Sequence, residues 1–189
     1  MTLPAGPHAP LASCSTETAE ALIETLSARL LGGDSATSVL EGWCRERRLA
    51  SSAHLVATRV VGPERQPSPV QGQRLDLSDG EVVRYRHVRL SWGGHVLSQA
   101  ENWYVPARLT REMNLLLDET EIPFGRVVHT LFPRRRNLRL LRLWPQDAGV
   151  PGPSDQVFAI EAILSDRSGR PICEVSETYT GAILAIGDA

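Results

Sequence analysis

The spacing of apolar residues changes along this chain. In the first quarter Leu22, Leu26 and Leu30 recur at helical intervals, as do Val39, Leu40 and Trp43 after the Gly32-Gly33 break. Residues three or four apart share a helix face, so this spacing predicts a helix from Ser15 or Thr16 to about residue 31. A second helix is predicted from Asp34 or Ser35 to about residue 48, the two forming a helical hairpin. From 54 to 61 the pattern turns β-like, and 62–78, with three prolines, reads as a mobile loop. A strand at 81–91, a turn at Gly93-Gly94 and a return strand at 95–105 ended by Pro106 predict an antiparallel hairpin. Thr110 is placed to cap a short helix with Met113, Leu116 and Leu117 on one side. Pro123-Phe124-Gly125-Arg126 reads as a turn into an apolar run at 127–132. Arginines and leucines then interleave over 134–142, which fits a strand with one solvated face. After a Pro/Gly loop at 145–153, 157–164 and 172–184 form the clearest hairpin, across Asp166-Arg167-Ser168-Gly169-Arg170. Helices early and strands late give the α+β class with one mainly antiparallel sheet.

Two of these strands carry charge in the wrong phase. Arg84 and Arg86 fall on the face of Val82, Val88 and Leu90, and Glu177 falls on the face of Cys173, Val175 and Tyr179. Strand side chains alternate, so these charges point at the core, where an ionised group is costly unless paired. One resolution is a buried ion pair of Arg86 with a core glutamate, Glu177 itself being a candidate. The other is an enclosed polar pocket. There a guanidinium offers two parallel hydrogen bonds to a carboxylate ligand, and a buried carboxyl serves proton transfer. Arg86, nearer the strand centre than Arg84, is the stronger anchor. Glu174, on the opposite face with Ile172 and Ser176, is the weaker candidate, while Glu161 and His87 fall on solvated sides.

Composition narrows the chemistry. A chain of 189 residues, 42% hydrophobic, is long enough for one domain with a real core, here 15–189. Residues 1–14 are rich in Pro and Ala and lack a basic region, which reads as a disordered leader rather than a signal peptide, with cytoplasmic residence as the default. No apolar stretch of about 18 residues is present, so no membrane partner is expected. All 20 basic residues are arginine. Lysine Schiff bases and a lysine-bearing phosphate loop are thereby excluded. The net charge of -2 gives no reason to expect nucleic acid. The run Arg134-Arg135-Arg136 with Arg139 and Arg142 reads first as a solvated strand edge, one member of which can line a pocket mouth. Cys14, Cys44 and Cys173 read as reduced thiols, and the five histidines have no metal-ligand spacing.

The order of several short motifs resembles the chorismate lyase family over about residues 20–184. These are Leu30-Leu31-Gly32-Gly33-Asp34-Ser35-Ala36-Thr37, Arg86 on a strand, Pro106, Phe124-Gly125-Arg126, and Glu177 near the end. The resemblance implies an antiparallel sheet of about six strands with helices on one side. Its internal pocket would lie under two flaps, one at Ser35, Ala36 and Thr37 and the other around Phe124 and Gly125. Arg86 would bind a ring carboxylate, and Glu177 would protonate the departing side chain as pyruvate leaves chorismate and 4-hydroxybenzoate forms. Arg126 would contact a second carboxylate or brace the turn. Where the family has an arginine on the returning strand, this chain has Asn102. No metal or cofactor is implied, and a monomer or weak homodimer is expected. The rival reading is a binding module of the same fold for an aromatic carboxylic acid. Effector domains of transcription regulators are of that kind, and the chain has no recognisable DNA-binding module.

Overall fold

Helix α1 (Thr16–Gly32) and helix α2 (Ala36–Glu46) form where the helical spacing predicts them. The computed structural model describes residues 16–50, 53–145 and 148–187, so the expected leader at 1–14 and Cys14 lie outside the described residues. Ser35 caps α2, its hydroxyl accepting from the Ser38 amide. Leu26, Leu30 and Leu40 are fully buried, each worth about 1.5–3 kcal/mol relative to exposure.

Six strands make one antiparallel sheet: β1 (Val56–Arg59), β2 (Arg84–Trp92), β3 (His95–Tyr104), β4 (Arg134–Arg142), β5 (Gln156–Ser165) and β6 (Pro171–Thr180). Their order is β1-β2-β3-β6-β5-β4. The two helices pack on the inner face together with α4 (Arg111–Glu119) and α5 (Phe124–Val127). Their buried residues join Val88, Leu90, Ala100, Val175 and Tyr179 in one core cluster. Cys44 and Cys173 are buried and free.

The expected class and sheet are present, with three local differences. The segment expected as a mobile loop contains helix α3 (Pro69–Arg74), closed by a reciprocal Ser68–Gln71 capping box. It lies on the outer face, so the helices are not all on one side. Strand β2 starts at Arg84 rather than 81, because Glu81 is held by Arg108 and Arg170. Strand β6 ends at Thr180 rather than running to 184. At Gly181 the chain passes Gly152 O so closely that a Cβ would sit 2.1 Å from it.

Arg108 anchors the strap that carries α3. Its side chain is 1% exposed, and it donates to Glu81 and to the carbonyls of Leu75, Asp76 and Pro171. The hydrogen bond from Arg108 holds the Glu81 carboxyl down at about 2. Since the unfolded chain titrates near 4.5, this contribution is fully present above that pH and fades as the pH falls toward 2. Amide protection factors at 70–76 are expected to fall over that window before those of the sheet do, and in Glu81→Gln the strap should lose protection already at neutral pH.

Candidate functional site

Strand register places the inward charges in two adjacent rows. Arg86 on β2 faces Asn102 on β3, which faces Val175 on β6. In the next row Val88 faces Ala100, and Ala100 faces Glu177. One strand therefore separates Arg86 from Glu177, a backbone gap of roughly 10 Å at ordinary strand spacing.

The two groups do not pair. Glu177 Oε2 accepts from Arg135 Nη2 at 2.6 Å, with the two side chains 7% and 2% exposed. The Tyr179 hydroxyl donates to the same oxygen at 3.2 Å. Burial alone would lower the Arg135 guanidinium, but the charge of Glu177, then Tyr179, and the Glu177 hydrogen bond hold it above its ordinary value. Burial, and then the Glu177 charge, push Tyr179 far up, so its hydroxyl stays a donor. The buried-pair expectation thus holds for Glu177 with a different arginine.

Arg86 is 2% exposed, and its Nε and Nη1 have no hydrogen-bond partner among the described residues. Nη2 alone donates, at 3.3 Å, to Ile122 O. Burial, and next the charge of Arg59, lower its pKa from 12.5 to about 10. Arg84, also expected inward, is exposed at the strand's first position and pairs with Asp118 at 2.8 Å. A long side chain at a strand end can reach solvent, which one at the centre cannot.

Between the sheet and the helices lies a chamber of about 40 Å³. Glu177 and Arg135 close one end, Val88, Ala100 and Asn102 floor it, and Ser35, Ala36, Thr37, Phe124 and Gly125 cover it. That space admits water but is roughly a quarter of the cavity a benzene ring fills. Its cover is tight, because a Cβ at Gly125 would stand 2.9 Å from Thr37 Oγ1. Outside it a surface hollow of about 460 Å³ shares Ser35, Thr37 and Gly125 with the chamber. Arg126 lines that hollow and is ion-paired to Glu41 of α2. Arg126 therefore braces one cover segment against the other and does not reach the chamber. Arg86 also lies outside the lining, behind Asn102 and Ile122.

Of the arginine run, Arg135 is the member that lines the chamber, with Pro133 beside it. Arg135 and Asn137 occupy one inward phase, but a bulge between Asn137 and Arg139 moves the inward set to Leu140 and Arg142. Uniform alternation over 134–142 therefore hides Arg135. Among the described residues no group of three or more His, Cys, Asp or Glu is placed to hold a metal. No described helix is long and apolar enough to cross a membrane.

No protein-family model matches the chain. Among solved structures, the effector domain of PhnF from Mycobacterium smegmatis superposes with a TM-score of 0.53 at 12% identity, covering 78% of this chain and 89% of that one. PhnF from the same organism gives 0.53 at 12% identity, over 86% and 80%. At such identity the likeness is one of fold, and it agrees with the single six-stranded sheet. A relative in sequence, "Uncharacterized protein y4mC" of Sinorhizobium fredii, is 39% identical over 179 residues, covering 87% of this chain and 76% of that protein. The chain belongs to the family of y4mC.

Proposed function

We propose that this chain is a small-molecule-binding domain that closes over a compact aromatic carboxylic acid of the hydroxybenzoate type. The observation that carries the reading is the buried Arg86 guanidinium, two of whose nitrogens lack partners. A desolvated cation without a counter-charge is unfavourable, and a ligand carboxylate would supply both charge and acceptors. Glu177, one strand away, would accept a hydrogen bond from a ring hydroxyl at the far end. The apolar Val88, Ala100 and Phe124 would cover the ring between them.

Entry requires the cover to move. Arg86 is tethered to Ile122 O by one long bond, and Ile122 precedes the Pro123–Gly125 cover. Displacing this segment would widen the chamber and uncover the guanidinium together. The resemblance to chorismate lyases supports the carboxylate class. Glu177, however, already accepts from Arg135 and Tyr179, an arrangement suited to receiving a hydroxyl rather than handing over a proton. Binding is thus the better reading than pyruvate elimination.

Two measurements decide between them. 4-Hydroxybenzoate is expected to raise the melting temperature, the added stability growing with the logarithm of its concentration to about 2.7 kcal/mol at a hundred times Kd. Chorismate is expected to release no pyruvate in a coupled assay. Pyruvate release above the uncatalysed rate would make the chain a lyase, and absence of any thermal shift would remove the binding reading.

A further inference from the structure

The opposite face of the sheet carries a second cavity. The strap around α3 stands off this face and leaves a cleft of about 280 Å³ over β3, β5 and β6. Three carboxylates line it, Glu101, Glu161 and Glu174, together with Trp103 and a single cation, Arg74. The register sets Glu161 and Glu101 on either side of Ser176, with Glu174 beside Trp103. On β6 the outer Glu174 and Ser176 alternate with the inner Glu177, so the cleft and the chamber lie on opposite faces of the sheet, with Val175 bordering both.

The carboxylates are unequally satisfied. Glu101 is held by Arg65 and Tyr85. Glu174 Oε1 accepts from Arg74 at 3.0 Å. Glu174 Oε2 has no partner among the described residues, although that side chain is only 5% exposed. Glu161 makes no ion pair among the described residues, and Arg139, opposite it on β4, is exposed. A buried carboxylate oxygen without a donor is unfavourable, and with Arg65 on Glu101 and Arg74 on Glu174 the charge of Glu161 is left unbalanced. Among the described residues these acids are not gathered in a group of three around one point. A directional N–H donor fits them.

We infer that this outer cleft binds a small organic cation, a guanidinium or primary ammonium compound, through Glu174 and Glu161 beside the Trp103 indole. Its donors complete the Glu174 carboxylate, its charge balances Glu161, and its stem lies against the indole. The wall that holds it is fixed, because Arg108 ties three points of the strap, Leu75, Asp76 and Glu81, to Pro171 of β6.

Agmatine, which carries both a guanidinium and an ammonium, is the probe. Titrated into the full ¹⁵N-labelled chain at low salt, it is expected to give a saturating shift of the Trp103 indole N–H, assigned with Trp103→Phe. Glu161→Gln should weaken binding at least fivefold and Glu174→Gln at least tenfold. Glu24→Gln, an exposed α1 position, should leave it unchanged. Glu161 is half-buried, so its variant keeps the fold and decides the matter alone if Glu174→Gln does not fold. No saturating shift up to tens of millimolar, or equal affinity in Glu161→Gln and wild type, would overturn the inference.

Discussion

Replacing Arg135 with methionine is expected to lower the unfolding free energy by about 3–5 kcal/mol, the usual consequence of leaving one member of a buried ion pair unpaired. The stem of methionine fills similar space, so the loss is not one of volume. It arises because Glu177, 7% exposed, loses its guanidinium at 2.6 Å, and Asn137 Oδ1 loses the Arg135 Nε donor at 2.9 Å. Glu177→Gln alone should also destabilise, since Arg135 is then the unpaired charge. Combining the two substitutions removes both charges and keeps an acceptor for the Tyr179 hydroxyl. Most of the stability should return, giving a coupling energy that a double-mutant cycle in urea reads directly. A loss under 1 kcal/mol for Arg135→Met would mean that the pair is solvated and the chamber open.

Arg86→Met should act with the opposite sign. The fall of the Arg86 pKa from 12.5 to about 10 corresponds to about 3 kcal/mol working against the folded state. For a base held below its unfolded value, the penalty is in full force below pH 10. It fades only as the pH rises from there toward 12.5. At neutral pH Arg86→Met is therefore expected to stabilise the free protein by about 3 kcal/mol in urea unfolding. The same substitution should weaken 4-hydroxybenzoate at least a hundredfold in calorimetry, which is about 2.7 kcal/mol of binding. Gain of stability with loss of binding marks a group retained for a ligand rather than for the fold. If Arg86→Met destabilised the protein, the guanidinium would be serving the core.

The two arginines also show what the sequence could and could not reveal. Strand alternation correctly set Arg86 and Glu177 on the inner face, because β2 and β6 keep strict phase over those residues. The same rule failed for Arg84, since a terminal position lets the side chain escape to solvent. For the arginine run it could say only that one member can reach a pocket; the bulge between Asn137 and Arg139, which nothing local marks, decides that the member is Arg135. Glu174 and Glu161 were correctly assigned to the outer face. The solvated side expected for Glu161 is in fact half-buried in a cleft, because the strap that covers it is rich in proline and carries no apolar period. Its anchor, Arg108, lies far away in sequence. The cover segments were legible as motifs, yet the Glu41–Arg126 brace between them joins residues 85 apart.

The central claim is that the inner chamber opens to seat a carboxylated ring between Arg86 and Glu177. A crystal structure of the protein with 4-hydroxybenzoate tests it most directly. The account predicts the carboxylate on Arg86 Nε and Nη1, the ring hydroxyl on Glu177, and residues 122–125 displaced from α2. A ring bound elsewhere, or a chamber still closed with Arg86 unpartnered at saturating ligand, would contradict it.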